Sequence, residues 1–406
     1  MIQNIKGTKD ILPTDIAVWH TIENVFRTIP QLYGYEEIRT PLFESTSLFK
    51  RGVGEGTDIV GKEMYVFDDK GGESLTLRPE LTAPVARAIL QYNLIRHYPT
   101  LRVWYYGACF RYEQPQLGRQ RQFHQVGAEC AGSTNPESDA EIILLAHRLI
   151  SSCGITDFTL HINSIGTSEE RSSYRTLLLD YLNSHRTELS EDAQRRMDKN
   201  PLRTLDSKDE RDKAVCANAP SILDSLGADS SKRFAAIQEM LSSAGIAYSV
   251  NPALVRGLDY YSHTVFEFRT DKLGSQDALG GGGRYDNLFE SLGAKPIPGV
   301  GFGLGVERLI LLMQQQQLVE ASHCDVVIIT SQSGLTEGAT IAESLRSAGL
   351  RVKTDVQRRS FKAQLKDIDK SSATYAVILG DDEVSSGNAL IKNLASHEQQ
   401  IVALSD

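Results

Sequence analysis

The sequence predicts an α+β protein in two parts: a strand-rich body to about residue 320, and a small α/β unit over 324–406. Three observations carry this. The chain has 406 residues, more than the roughly 100–200 that one core usually serves. Strand patterns fill the region around 101–129, fade, and return between about 262 and 305. After Asp325, strand-like and helix-like runs alternate to the end.

Taken in order, Thr14 to Tyr33 has helical spacing and stops at Gly34, a good helix terminator. EEIRT then runs as a strand into Pro41, since proline is tolerated at strand ends. SLTLR alternates as a strand and breaks at Arg78-Pro79. Thr82 is a candidate cap for a helix with Pro84 in its first turn, where proline fits. Leu101 to Glu129 reads as two β-rich runs around the loop EQPQLGRQ, and Asp139 to Cys153 as an amphipathic helix. From about 166 to 229 the chain turns Ser-, Glu-, Asp- and Arg-rich with helical spacing, which suggests a helical insertion in the 1–320 body. HTVFEF, ALGGGGRYD and GVGFGLGVE restore strand character, and ERLILLMQQQQL follows as a helix. The last unit begins with VVIIT, the helix GLTEGATIAESLRSAG and the strand LRVKTD. A basic helix, TYAVILG, ALIKNL and QQIVALS complete it.

Composition narrows the function classes. A hydrophobic share of 41% with 23% charged residues matches a soluble globular protein. The N-terminus carries charges where an export leader needs an apolar run, and no uncharged apolar stretch reaches the ~20 residues of a membrane helix. Five scattered cysteines without a CxxC pair suggest neither a disulfide framework nor a zinc site. A cytoplasmic protein is expected. The net charge of −9 argues against a nucleic-acid partner, but charge is unevenly placed. Lys353, Arg358, Arg359, Lys362, Lys366 and Lys370 share one segment with only three acids, and Arg111, Arg119 and Arg121 crowd another. A solvated basic face accounts for either run by itself, so charge decides neither way.

Gly56-Thr-Asp-Ile-Val-Gly61-Lys62 is a phosphate loop up to its last position, where Glu63 replaces the hydroxyl that would bind magnesium. No apolar strand precedes it, so it is set aside. Gly301-x-Gly303-x-Gly305 lacks the partner motifs of a kinase, and no histidine pair has metal-ligand spacing. The stronger constellation is FRYEQPQLGRQRQFHQVGAE. Alternate strand residues share a face, which groups Arg111 with Glu113, and Arg121 with Phe123, Gln125 and Glu129. That surface offers cations for phosphates, an aromatic ring for a base, and polar groups for a small ligand. A salt-bridged polar hairpin would have the same pattern. LVRGLDYYSHTVFEF places Arg256, Tyr260 and Tyr261 at a strand entrance, and Gly280 to Gly283 precede Arg284-Tyr285-Asp286. GVGFGLGVER sets Arg308 in the first turn of a helix, a disfavoured place for a cation unless it faces an anion.

These segments carry a resemblance. YGYEEIRTP resembles the dimer-forming first motif of class II aminoacyl-tRNA synthetases, FRYE with RQFHQ the second, and GFGLGVERL the third. LVRGLDYYSHTVFEF and ALGGGGRYDNL resemble two peptides peculiar to histidyl-tRNA synthetases, and LTLRPELTAPVAR fits the same family. The likeness runs from IKGTKDILP to the C-terminal α/β unit. It implies an antiparallel six-stranded sheet with helices, an inserted helical domain, a C-terminal anticodon-binding domain and a homodimer. It further implies that histidine attacks the α-phosphate of ATP and that tRNA(His) then takes the activated histidine. By that resemblance Arg256, Arg111 and Arg308 are catalytic. Arg111, Glu113, Arg119, Phe123 and Arg308 bind ATP. Glu80, Leu81, Thr82, Gln125, Glu129, Tyr260, Tyr261 and Tyr285 bind histidine. Gln116 is a candidate contact for the acceptor stem, and Arg358, Arg359 and Lys362 for tRNA phosphates. Mg2+ should arrive with ATP, and no protein-ligated metal is expected. The alternative is the synthetase-like regulatory subunit of ATP phosphoribosyltransferase, which would keep a histidine pocket. The arginine set and the C-terminal unit weigh against it.

Overall fold

A computed structural model describes residues 2–54, 57–198, 200–255, 260–274, 277–316, 318, 324–368 and 373–404. The chain divides into two compact units, Met1–Val319 and Glu320–Asp406.

In chain order the strands of the first unit are β1 (Glu36–Glu37), β2 (Phe43–Ser45), β3 (Tyr65–Asp68), β4 (Ser74–Leu77), β5 (Leu101–Phe110) and β6 (Gln122–Ala131). They continue with β7 (Thr159–Ser164), β8 (Ser249–Val250), β9 (Ser262–Arg269), β10 (Ala278–Arg284) and β11 (Gly299–Gly305). The main sheet has the order β1-β5-β6-β11-β10-β9-β7-β8. Its six inner strands are mutually antiparallel, and the two-residue strands β1 and β8 lie parallel to their neighbours at the edges. Strands β2, β4 and β3 form a separate small sheet.

The two-residue period of a strand explains how this sheet buries both faces. On one side Trp104, Val126, Ala128 and Cys130 pack against Val18, Ile22 and Phe26 of the helix Ile16–Leu32. Ile142, Ile143, Ala146 and Leu149 of the helix Pro136–Ser152 join the same core, as do Phe234, Ile237 and Leu241 of Ala228–Ser243. On the other side Leu101, Val103 and Tyr105 meet Val85, Ala86 and Ile89 of the helix Thr82–Gln91. This second face is interrupted by Phe123, Gln125 and Glu129 of β6. Between 166 and 229 the described residues form helices, chiefly Ser168–Ser184, and turns, with Leu178, Leu182 and Met197 buried.

Two expectations need correction. The strand over EEIRT shrinks to Glu36–Glu37, because the register with β5 holds only there and its last hydrogen bond runs from Ile38 to Trp104. Thr82 does not cap its helix. The Glu80 carboxylate accepts the N–H groups of Thr82 (2.7 Å) and Ala83 (2.9 Å) instead, satisfying two orphan donors of the first turn.

The second unit has strands β12 (Cys324–Thr330), β13 (Val352–Thr354), β14 (Ala373–Leu379), β15 (Asn388–Asn393) and β16 (Gln399–Ala403) in the order β13-β12-β14-β15-β16. The first three are parallel, and β15 and β16 return antiparallel. Val326, Ile328, Val377 and Leu379 form one core with Ala342 of the helix Leu335–Ser347, while Ile329, Ala376 and Ile378 point to the other. Among the described residues no helix is long and apolar enough to cross a membrane.

Candidate active site

A cavity of about 270 Å³ opens over β6, β11, β10 and β9. Ten of the residues to which the resemblance gives a role line it: Glu80, Thr82, Arg111, Glu113, Arg119, Phe123, Gln125, Tyr260, Tyr261 and Arg308. Strand alternation brings Phe123 and Gln125 to one wall. Arg111 and Glu113 lie just beyond the end of β5, not within the strand as expected. Their segment closes back on the returning strand through the N–H of Arg111, which donates to the carbonyl of Arg121 (2.9 Å).

One end of the cavity is polar and closely packed. Glu129 is 1% exposed and lies one layer behind the wall. Its Oε1 accepts from the hydroxyls of Thr82 (2.7 Å) and Tyr105 (2.8 Å), and its Oε2 from that of Tyr285 (2.5 Å). Burial pushes the Glu129 carboxyl up to about 7, with the three hydroxyls pulling the other way. Burial also raises Glu80, against the two backbone N–H groups that favour its charged form. The rings of Tyr260 and Tyr261 lie 4.7 Å apart, and Tyr285 meets Tyr260 edge-on at 5.7 Å. Leu81 is buried beside them rather than lining the cavity. Glycine makes this arrangement possible. Gly301 sits opposite Glu129 across the β6–β11 ladder, and a Cβ there would fall 1.5 Å from Oε2.

The other end gathers cations. Arg119 pairs with Glu113 at 3.1 Å, and Arg111 approaches the same carboxylate at 3.9 Å. The Arg111 guanidinium stands 5.2 Å from the centre of the Phe123 ring. Its Nε donates to the carbonyl of Pro79 (2.8 Å). Arg308 donates through Nε to the carbonyl of Gly118 (3.1 Å) and through Nη1 to that of Ala278. Burial and then the nearby Arg119 lower its pKa from the ordinary arginine value. Three guanidinium groups gather at this end beside the carboxylates of Glu113, Glu267 and Glu307, and their planar, permanently charged forks suit phosphate oxygens.

Other residues fall elsewhere. Arg256 lies outside the described residues, as do Gly56 of the near-miss phosphate loop and Lys370. Gln116 lines a second cavity of about 530 Å³ beside the first. In the second unit Arg358, Arg359 and Lys362 are exposed, and Arg359 is paired with Asp355 (3.1 Å) and Asp367 (2.7 Å). The sequence reading missed Tyr105, Glu267 and Glu307, which also line the first cavity. Tyr105 faces Gly127 across β5–β6, and a strand bearing a large polar ring opposite a glycine was the available clue.

Comparison with known proteins agrees with this geometry. The family model "Histidyl-tRNA synthetase" matches residues 7–309, and "Anticodon binding domain" matches 325–406. A histidine–tRNA ligase of Microcystis aeruginosa is 47% identical over 399 residues, 98% of this chain and 94% of that protein. One of Cyanothece sp. is 47% identical over all of this chain and 95% of its own length. The crystal structure of apo S. aureus histidyl-tRNA synthetase superposes with a TM-score of 0.82 at 34% identity, covering 100% of this chain and 98% of that one. A sheet with six antiparallel inner strands carrying an arginine-lined cavity, together with an anticodon-binding domain, defines a class II aminoacyl-tRNA synthetase. Within that class, the chain belongs to the histidyl-tRNA synthetase family.

Proposed function

We propose that the cavity joins histidine to ATP and passes the product to tRNA(His), with each named side chain serving one end of the reaction. The observation that carries this is the cavity's polarity. A hydroxyl- and carboxylate-rich pocket for a small polar ligand adjoins a cluster of arginines for phosphates, with room between them for a reacting carboxylate. Glu80 faces the histidine ammonium. Thr82, Gln125, Tyr260 and Tyr261 surround the side chain, and Glu129, backed by Tyr285, acts on it through the hydroxyls of Thr82 and Tyr105. Leu81 shapes the floor. Phe123 stacks on adenine, Glu113 reads its edge, and Arg111, Arg119 and Arg308 grip the phosphates. Arg256 meets the charge that develops on the α-phosphate.

Little covalent work falls to the protein. Its task is to hold two anions together and offset the charge that forms as the histidine carboxylate attacks and pyrophosphate leaves. The terminal ribose hydroxyl of the tRNA then attacks the activated carbonyl. Mg2+ enters as part of the ATP substrate. We place the catalytic domain at 1–320, with a helical insertion over about 166–229 and the anticodon-binding domain at 324–406. We expect a cytoplasmic homodimer whose tRNA contacts include Gln116, Arg358, Arg359 and Lys362.

Histidine-dependent ATP–pyrophosphate exchange tests the reading. The wild-type chain should catalyse it, and Arg256→Ala should lose about 10²–10³ in rate while binding histidine nearly normally. Near-normal turnover in that variant would remove Arg256 from the chemistry. No exchange in the intact chain would favour the regulatory-subunit alternative.

A further inference from the structure

We infer that His124 is a positioning residue for ATP, fixing Phe123 and Arg308 relative to one another through Glu307. The inference rests on the assignment of those two side chains to ATP made above. His124 lies between Phe123 and Gln125 but points to the reverse face of β6, away from the cavity. The β6–β11 ladder ends at the Gln125–Gly305 rung. Beyond that rung the backbone N–H of His124 has no strand partner on the β11 side. It donates instead to both oxygens of Glu307, at 3.0 and 2.9 Å. The His124 Nδ1 lies 2.8 Å from Oε1 of the same group. A carboxylate only accepts, which assigns the ring proton to Nδ1. The ring itself is immobilised by Tyr106, stacked at 5.7 Å, and Trp19, edge-on at 5.0 Å.

Glu307 stands in the first turn of the helix Val306–Gln315, directly before Arg308. One carboxylate therefore continues the sheet's hydrogen bonding where the strand has ended, and ties the strand bearing Phe123 to the helix bearing Arg308. The base and phosphate contacts are then set by one rigid unit. A shift of about 1 Å in such a unit costs up to 10²-fold in rate.

The experiment measures KM for ATP and for histidine separately in pyrophosphate exchange, with thermal unfolding as a check on the fold. His124→Leu should raise KM for ATP about tenfold and leave that for histidine within about twofold. His124→Asn, which keeps a donor near the Nδ1 position, should recover most of the loss. A purely structural role would move both constants together and would overturn the inference, as would an unchanged KM for ATP. Combining His124→Leu with Glu307→Gln should be no worse than Glu307→Gln alone, because the ring bond that leucine removes already ends on that carboxylate. Multiplying effects would show that Glu307 acts on ATP independently and would also overturn it. If His124→Leu does not fold, Glu307→Gln alone must show the ATP-selective loss, and equal losses for both substrates refute the link. Phe123→Ala separates the two readings. If it leaves KM for ATP unchanged, the placement of ATP fails and takes the inference with it. If it raises KM for ATP while His124→Leu behaves as wild type, the inference alone fails.

Discussion

Glu129 gathers three hydroxyls at the polar end of the cavity onto one side chain. Three hydroxyls donate to a carboxylate that burial holds at about 7. In the unfolded chain the same group titrates near an ordinary glutamate, at about 4.3. Between those values the folded protein keeps a proton that the unfolded chain has released. The stability tied to this group is therefore full below about 4.3 and is lost as pH rises towards about 7. The thermal midpoint of the ligand-free wild type should fall, relative to Glu129→Gln, as pH rises from about 4.3 to about 7. Parallel profiles for the two proteins would show that Glu129 is ionised throughout. In function, Glu129→Gln offers one acceptor where three hydroxyls need partners, so it should weaken histidine far more than ATP. Equal losses for both substrates, measured by exchange kinetics, would reduce Glu129 to a support for the sheet.

At the scale of elements, β11 is built thin so that β6 can carry large polar groups. Gly301→Ala would drive a methyl into the Glu129 carboxylate, whereas a Cβ at Gly303 meets nothing nearer than Gln125 Nε2 at 3.8 Å. The first substitution should cost about 1–3 kcal/mol and the second little, as read from denaturant midpoints. Equal midpoints would mean that Glu129 can move aside freely. The alternation of β5, β6 and β9 and the helix at Ile16–Leu32 were legible, because their periods repeat over enough residues to be seen. What escaped depended on partners distant in the chain. Thr82 looked like a cap, but its hydroxyl is taken by Glu129, 47 positions away, leaving Glu80 to cap. Nothing in LRVWYYG singles out Tyr105; only the register, which sets it over Gly127, does so. Residue type and spacing singled out Phe123, Gln125, Arg111 and Arg308, but a salt-bridged hairpin shares that pattern, and only the resemblance to class II synthetase motifs gave them roles.

At the scale of the whole molecule, a net charge of −9 coexists with a basic run exposed on the second unit. Arg358 and Lys362 are exposed on the second unit, while Arg359 already shares its charge with Asp355 and Asp367. Replacing Arg358, Arg359 and Lys362 by Gln in the full chain should weaken tRNA binding and flatten its salt dependence, with pyrophosphate exchange almost unaffected. The first two substitutions should account for less than the sum if Arg359 is held by its internal partners. An unaltered salt slope would remove this surface from the tRNA interface. Another property belongs to the molecule as a whole. Its five cysteines are free, four are buried and Cys216 is half-buried. Burial pushes the thiols of Cys109 and Cys153 up to about 12, and those of Cys130 and Cys216 to about 11. Thiolate is the reactive form, so the native fold shields those four sulfurs from alkylating reagents both by access and by protonation, and Cys324 by its burial. Each becomes a clock for the opening of its own neighbourhood: Cys109 and Cys130 for the centre of the catalytic sheet, Cys216 for the helical segment, Cys324 for the second unit. The order in which they are labelled gives the order in which the molecule comes apart.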